Sequence, residues 1–253
     1  MDRGAVLVTR IRPAWLVGTV AEILDETPTA KRIVLDVPGW PGNDAGSHLD
    51  IRLTAPDGYQ ASRSYSIASS GPSERVVLAV DEIPTGEVSP FLTGELRAGD
   101  QLEVHGPLGA YFVWRPAGFG STTGPVQLIG GGSGIVPLVA IAQAAADAGR
   151  MADFRLLSSV RSPEDQFFSP ELSALEAGGM RIDRVYTRRA PENWTRAPGR
   201  LTRETLAAAI PDPSTLERSY VCGPTPFVEA VADWLIALGH APGTIRTERF
   251  GGA

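Results

Sequence analysis

Arg63-Ser64-Tyr65-Ser66 is the stretch on which our prediction of the fold depends. It lies in an alternating run, residues 59–67, that predicts a β-strand followed by a turn. On a strand, the side chains of Arg63 and Tyr65 point to one face and the two serine side chains point to the other. An arginine beside an aromatic ring and two hydroxyls suits a phosphorylated ligand that carries a ring. A surface strand with polar side chains is the alternative interpretation of this stretch taken alone.

The first half of the chain is predicted to be a small antiparallel barrel. Short segments with alternating apolar residues follow one another with turns between them and almost no helix, which favours such a barrel. The predicted strands cover residues 15–26, 30–37, 48–53, 59–67, 75–80 and 101–104.

A break in this pattern gives a second candidate for phosphate binding, Gly86-Glu87-Val88-Ser89. Ser89 is predicted to cap a short helix that begins at Pro90 and ends near Leu96. A turn that leads into a helix N-terminus presents free backbone N–H groups, which suit a phosphate. The alternative is an ordinary capped surface helix. Together with Arg63, this turn favours a single diphosphate ligand on the barrel.

The second half alternates strands with helices, which predicts a parallel sheet covered on both faces. The glycine-rich segment 118–124 is the predicted linker. It divides the chain into a barrel domain, residues 1–118, and an α/β domain, residues 119–253. The predicted strands are 126–129, 154–160, 181–186 and 219–222. One predicted helix follows the glycine turn and runs to about Ala148, and the others are 169–177, 202–210 and 226–238.

Ligands of such sheets bind at the carboxyl ends of the strands. The first strand is followed by Gly132-Ser133-Gly134-Ile135, a glycine turn whose backbone can approach a pyrophosphate closely. The turn departs from the usual dinucleotide fingerprint, because Pro137 stands where glycine or alanine is expected. Another strand ends at Cys222-Gly223-Pro224. Cys222 either fills the core or packs against a nicotinamide, and no base is paired with it to make it a nucleophile.

Arginines, and not an acid, follow the two strands between these points. An NAD site of the common type carries an acid about twenty residues beyond the glycines. The only acid near that point is Asp153, which precedes its strand. Arg161 and Arg188, at matching ends of neighbouring strands, would instead clamp a ribose phosphate. This arrangement favours NADPH over NADH.

Composition excludes several classes of function. The net charge of -6 over 253 residues argues against a general nucleic-acid partner, and no apolar run is long enough for a membrane span. We therefore expect a cytoplasmic protein. Cys222 is the single cysteine, so a disulfide, a cysteine zinc site and a four-cysteine iron–sulfur cluster are excluded within this sequence. The scattered residues His48, His105 and His240 are expected to be structural, and no metal centre is predicted.

Taken in order, the motifs resemble those of the ferredoxin–NADP reductase superfamily, particularly the flavin- and nicotinamide-binding parts of oxygenase reductase components. The resemblance extends from about Trp15 to Phe250. The matching motifs are Arg-Ser-Tyr-Ser at 63–66, Gly-Glu-Val-Ser at 86–89, His-Gly-Pro-Leu-Gly at 105–109, Gly-Gly-Ser-Gly-Ile-Val-Pro at 131–137 and Cys-Gly-Pro at 222–224.

The resemblance implies FAD as the cofactor of the barrel. Arg63 would hold the flavin phosphate, Tyr65 would line the isoalloxazine or ribitol, and Ser66 would approach the reactive N5 nitrogen. The backbone of residues 86–89 would bind the pyrophosphate.

The resemblance also implies an NAD(P)H site on the parallel sheet. Ser133 and Gly134 would receive the dinucleotide, Cys222 would lie near the nicotinamide, and the two arginines match the positions that bind the 2′-phosphate. Plant-type members end in a tyrosine that stacks on the flavin, and Phe250 would take its place. Glu248 would relay protons or contact the nicotinamide. A solvated tail is the alternative for these last two residues.

The implied activity is transfer of hydride from NADPH, with NADH as second choice, to the flavin N5. Single electrons would then pass to a separate ferredoxin, flavodoxin or oxygenase, because the cysteines of a fused iron–sulfur domain are missing. A reductase of free flavin or another small acceptor is one alternative. A non-catalytic subunit that holds flavin for electron transfer is the other.

Overall fold

Two sheets form the core of the computed structural model, which describes residues 15–118 and 121–251. The first sheet is antiparallel with the strand order β4-β3-β6-β1-β2-β5, as expected for the predicted barrel. Inward-facing apolar residues meet across its strands, and Leu78 pairs with Ile33 in register. The strands are β1 (Trp15–Thr27), β2 (Ala30–Asp36), β3 (His48–Thr54), β4 (Gln60–Ser66), β5 (Arg75–Asp81) and β6 (Gln101–Leu108).

The barrel does not close along its whole length. Strands β4 and β5 are the two edges of the sheet, and a bridge between Ile67 and Leu78 joins them at one end. The segment 82–96 lies beside the remaining gap, and its Leu92 packs into the barrel core at 1% exposure. Arg63 and Tyr65 therefore lie on the strand that borders this opening.

The prediction that Ser89 caps a helix is wrong. Residues Phe91–Glu95 form one turn of π-helix, which has no side-chain cap. The Ser89 hydroxyl instead accepts a hydrogen bond from the backbone N–H of Ile83, at 3.0 Å, and so closes the preceding loop.

The second sheet is parallel with the order β11-β10-β7-β8-β9, and helices cover it as predicted. Its fifth strand was not predicted: Glu248 and Phe250, expected in a tail, belong to an edge strand paired with β10. The strands are β7 (Val126–Gly131), β8 (Phe154–Val160), β9 (Arg181–Tyr186), β10 (Arg218–Pro224) and β11 (Ile245–Phe250), and the helices are α1 (Ile135–Asp147), α2 (Ser169–Ala177), α3 (Arg203–Ala209) and α4 (Thr225–Ala237).

Helix α1 joins the two sheets. It is buried on nearly every side, because one face packs on the parallel sheet and another meets barrel residues that include Phe112 and Trp114. The Tyr220 hydroxyl of β10 also donates a hydrogen bond to the carbonyl of Val113, at 3.0 Å. One apolar cluster thus contains residues of both halves, beside a second cluster inside the barrel and a third in the parallel-sheet half.

The predicted linker is partly packed. Thr122 is 1% exposed and accepts a hydrogen bond from the indole N–H of Trp114, at 2.9 Å. Residues 119–120, and the N-terminal segment 1–14 that includes three arginines, lie outside the described residues. The division into domains at residue 118 stays a prediction. Within the described ranges, no helix has the length and apolar character needed to cross a bilayer.

Candidate functional site

Arg63 is held by a carboxylate at the opening of the barrel. Its guanidinium donates to Glu87, at 2.6 Å, and the Tyr59 hydroxyl donates to the other oxygen of the same carboxylate, at 2.8 Å. These two donors hold the pKa of Glu87 below its usual range. A carboxylate has the negative charge and acceptor oxygens of a phosphate, so the arginine is already arranged for an anion.

The backbone beside this pair provides further donors. The N–H of Gly86 is not available, because it donates to the carbonyl of Ile83 at 2.7 Å. In the part of the chain that the structure describes, the N–H groups of Glu87, Val88 and Ser89 have no acceptor. The residues present therefore fit a diphosphate that Arg63 and this loop would share.

Tyr65 presents an aromatic ring next to the arginine. It is half-buried against the barrel core, and this burial raises the pKa of its hydroxyl to about 12. The ring is thus neutral at physiological pH and suited to pack on another ring. Ser64 faces the outside of the sheet, where its hydroxyl donates to Asp50 at 2.5 Å. Ser64 therefore lies on the opposite face of the strand from Arg63 and Tyr65.

The end of β4 meets the parallel sheet at Ser66. The Ser66 hydroxyl donates to Glu248 of β11, at 3.2 Å, and Glu248 is in register with Cys222 of β10. Burial raises the pKa of Glu248, opposed by the charge of His48 and the Ser66 hydrogen bond. The Cys222 pKa is also raised well above its ordinary value, first by burial and then by Glu248. Cys222 is thus a neutral thiol, which suits packing and does not suit nucleophilic attack.

His48 is a neighbour of this cluster that sequence reasoning treated as structural. It pairs with Ser66 across β3 and β4. Its ring packs closely on Gly109, where an added Cβ would lie 3.1 Å from the imidazole Nδ1. Nothing in the spacing of the histidines signalled this position, because it depends on the register of two strands.

The glycine turn after β7 is shaped by close packing on one side and open space on the other. A Cβ on Gly134 would lie 2.2 Å from the carbonyl oxygen of Cys222, and one on Gly131 would lie 2.8 Å from the Phe227 ring. A Cβ on Gly132 would meet nothing within 4 Å, and Gly132 has a φ of 56°. The turn is therefore pressed against β10 and leaves its outer side free for a ligand.

A cleft of about 240 Å³ opens above this turn, between the parallel sheet and the barrel. Phe250, Pro224 and Ser133 line it together with Thr29 and Asp81 of the barrel. Of the other predicted nucleotide residues, Gly132 and Arg161 also line this cleft. Gly223 lies behind it, where an added Cβ would be 3.0 Å from the Phe227 ring.

Arg161 and Arg188 are brought together by the backbone. The N–H of Arg188 donates to the carbonyl of Arg161, at 2.9 Å. Both side chains are exposed, and neither forms an ion pair with another described residue. Asp165 also lines the cleft, and it accepts a hydrogen bond from the Ser162 hydroxyl at 2.6 Å. Sequence reasoning missed this acid because it considered only Asp153, which precedes β8.

Comparisons with known proteins agree with this arrangement. The oxidoreductase FAD-binding domain family matches residues 18–113, and the oxidoreductase NAD-binding domain family matches residues 128–233. The ferredoxin–NAD(P)+ reductase component of the naphthalene 1,2-dioxygenase/salicylate 5-hydroxylase systems of a Ralstonia species is 27% identical, over 95% of this chain and 70% of that protein.

Two further proteins support the match. The glycine betaine monooxygenase reductase subunit of Chromohalobacter salexigens is 32% identical over 83% of this chain, which spans 56% of that relative. The crystal structure of an Amycolatopsis cytochrome P450 reductase superposes with a TM-score of 0.81 at 26% identity, over 94% of this chain and 70% of that one. The motifs, the two sheets and these relatives agree, and the chain belongs to the ferredoxin–NADP reductase superfamily of flavin- and pyridine-nucleotide-dependent oxidoreductases.

Proposed function

We propose that this protein is a reductase that takes hydride from NADPH onto FAD and passes single electrons to a separate protein. One observation carries the proposal. Ser66, at the end of the strand that would hold the flavin, contacts Glu248 beside Cys222, at the strand ends that would hold the nicotinamide. The two binding surfaces therefore meet at one place, as transfer between two stacked rings requires.

Arg63 and the N–H groups of residues 87–89 would bind the phosphates of FAD, and Tyr65 would pack on its ring system. FAD supplies the centre that accepts a hydride and releases electrons singly. Ser66 would place its hydroxyl near the flavin N5, and Glu248, with its raised pKa, would hold a proton for that hydroxyl. The chain would thus contribute mainly positioning.

The nucleotide would lie in the cleft, with its phosphates at Ser133 and Gly134. Cys222 would border the nicotinamide, and Phe250 would cover the flavin. Arg161 and Arg188 support a preference for NADPH, since together they offer two guanidinium groups to a 2′-phosphate.

Asp165 supports the other donor. Its carboxylate lines the same cleft as Arg161 and would accept a hydrogen bond from an unphosphorylated ribose. NADH is therefore the second candidate donor. Arg161 favours NADPH, whereas Asp165 favours NADH.

A ferredoxin, flavodoxin or oxygenase component is the proposed electron acceptor, by analogy with the reductase components among the relatives. Reduction of free flavin or another small acceptor, and a non-catalytic flavin-holding subunit, remain the alternatives. A cytoplasmic location stays a prediction.

The test is anaerobic stopped-flow reduction of the purified protein by NADPH and by NADH, followed by flavin absorbance. Fast bleaching by NADPH is expected, and Arg63→Ala should yield largely flavin-free protein. Arg161→Ala should weaken NADPH by about tenfold or more and NADH little, because one charged hydrogen bond is lost, ~1.5–3 kcal/mol.

Four results would count against the proposal. Bound flavin that neither nucleotide reduces would favour the non-catalytic subunit. Full flavin occupancy in Arg63→Ala would remove the phosphate role of that arginine. Equal weakening of NADPH and NADH binding by Arg161→Ala would remove the basis for NADPH preference. Preferential reduction by NADH would indicate that Asp165, and not Arg161, selects the donor.

A further inference from the structure

A β-bulge in β1 points one carboxylate out of the barrel. Asp25 pairs with Lys31 and Thr27 with Ala30, so Glu26 has no partner on β2. Bulges re-aim a side chain, and they are frequent next to active sites. The Glu26 side chain is only 4% exposed, which is unusual for a carboxylate. It must therefore be held by specific donors.

Both donors to Glu26 are identified. The Nε of Arg32, on β2, donates to one carboxylate oxygen at 2.6 Å. The backbone N–H of Phe168, which immediately precedes helix α2, donates to the other oxygen. One carboxylate of the barrel thus bonds directly to the backbone of the parallel-sheet half.

Arg32 also links the barrel to the parallel-sheet half. Its two terminal nitrogens donate to the two carboxylate oxygens of Glu171 in α2, at 2.5 and 3.2 Å. Its guanidinium also lies over the Phe168 ring, 4.5 Å from the ring centroid. A bidentate arginine fixes both distance and orientation, in contrast to a single flexible charge.

The backbone at Phe168 is strained. Its φ of 55° makes it the one non-glycine residue with a positive φ among residues 15–118 and 121–251. A bulky residue adopts this conformation only where its surroundings impose it, and such strain gathers at functional sites. Here the Glu26 carboxylate binds the Phe168 N–H, and the Arg32 guanidinium covers the Phe168 ring. We call Glu26, Arg32, Phe168 and Glu171 the latch.

The latch joins the two walls of the nucleotide cleft. On the barrel side, Thr27 and Thr29 line the cleft, one and three residues after Glu26. On the other side, Asp165 and Phe167 line it and precede Phe168. A displacement of Phe168 relative to Glu26 would therefore change the width of the cleft.

We propose that Glu26 and Arg32 are positioning residues that set the separation of flavin and nicotinamide through the latch. Neither residue needs to touch a cofactor. This proposal rests on the proposed function, because it assigns the cleft to the nucleotide. Its consequence is that loss of the latch slows hydride transfer within the complex more than it weakens nucleotide binding.

The test compares the wild type with Glu26→Gln. Glutamine has nearly the same shape, but its amide nitrogen faces a donor, either the Arg32 guanidinium or the Phe168 N–H. At saturating nucleotide, the rate of flavin reduction should fall by roughly ten- to a hundredfold, as expected for a small misplacement of reacting groups. Flavin content should stay unchanged, and the nucleotide Kd should change less than about threefold, since no bond to the nucleotide is lost.

Hydrogen–deuterium exchange provides a readout that does not depend on activity. In Glu26→Gln, peptides that contain residues 163–172 should exchange faster than in the wild type, because one of the two hydrogen bonds that join Glu26 to Arg32 and Phe168 is lost and the latch loosens. This measurement tests the latch even if the protein proves not to be a nucleotide-dependent reductase.

Glu22→Gln is the matched control. Glu22 lies on the same strand, at the other register shift of β1, and pairs with Arg75 at 2.7 Å. That pair is half-exposed and stays within the barrel. Glu22→Gln should therefore leave both the reduction rate and the exchange of residues 163–172 unchanged. If Glu26→Gln does not fold, Arg32→Lys removes the bidentate bond to Glu171 and is expected to give the same two changes.

Three outcomes would overturn the proposal. Unchanged exchange of residues 163–172 would mean that the latch does not hold Phe168. Faster exchange with an unchanged reduction rate, or an equal loss of rate and affinity, would make the latch a stability contact only. Failure of the wild type to be reduced would contradict the proposed function instead.

Discussion

Glu87 forms an ion pair with Arg63, whose guanidinium we assign to the flavin phosphate. For FAD to bind as proposed, the ion pair of Glu87 with Arg63 at 2.6 Å must open, and a carboxylate must remain near a phosphate. Glu87→Gln should therefore tighten FAD binding by roughly threefold to tenfold. A fluorescence titration of flavin-free protein with FAD measures this change. Glu95→Gln, in the adjacent π-helical turn, is the control for net charge. Weaker binding in Glu87→Gln would show that the carboxylate helps to hold the flavin.

A second prediction at the scale of one residue concerns pH. Since the folded pKa of Glu248 is raised, chiefly by burial, the folded chain binds its proton more tightly than the unfolded chain. The contribution to stability is present below the unfolded pKa of glutamate and is lost as pH rises through the folded pKa. Relative to Glu248→Gln, the wild type should therefore be more stable at about pH 4.5 than at about pH 8. Urea unfolding of flavin-free protein measures this difference, and the opposite trend would contradict the raised pKa.

Single residues also show how far sequence reasoning reached. Arg63, Ser66 and Glu248 were each proposed from motifs, but their contacts were not. The partner of Arg63 is 24 positions away and that of Ser66 is 182 positions away. Such pairs depend on how the barrel edge and the sheet edge come together. Motif spacing carries no information on that geometry.

At the scale of elements, the glycine turn after β7 gives a sharp expectation. A methyl group on Gly134 would lie 2.2 Å from a backbone oxygen of β10, so the turn or the strand must move. Gly134→Ala should lower the free energy of unfolding by ~1–3 kcal/mol, as overpacking does, and abolish tight nucleotide binding. Urea unfolding and nucleotide titration measure the two effects. Gly199→Ala is the control, because a methyl group there meets nothing within 4 Å. Normal nucleotide affinity in Gly134→Ala would contradict our assignment of the turn.

Two elements differed from prediction for physical reasons. The segment Arg246-Thr247-Glu248-Arg249 is polar, so the edge strand β11 lacks the apolar alternation by which strands were recognised. The Ser89 hydroxyl was expected to cap a helix, but it accepts a hydrogen bond from the backbone N–H of Ile83 instead. The four predicted helices of the second half were found within one or two residues, because their apolar faces are long and end at clear glycine or proline signals.

At the scale of the molecule, the apolar cluster that contains residues of both halves predicts cooperative unfolding. Ile141 of α1 reaches the barrel, since a Cβ on Gly46 would lie 3.2 Å from its Cδ1 atom. Ile141→Ala should cost ~2–5 kcal/mol and shift the unfolding of both halves together. With Trp194 and Trp234 replaced by Phe, tryptophan fluorescence reports on the barrel, and it should give the same urea transition as far-ultraviolet circular dichroism of the helices. Separate transitions, with only one moved by the substitution, would show independently stable halves.

The burial of α1 also limits how such a protein can be recombined. A helix with apolar residues on both of its packed faces must find a complementary barrel as well as a complementary sheet. A chimera that joins this barrel to the nucleotide half of a distant relative would bring together two surfaces that were not selected for one another. Exchange of cofactor specificity by swapping halves should therefore fail more often than exchange of single residues at the rim of the cleft. In this scaffold, a working chimera would have to keep both sides of the apolar contact between the halves.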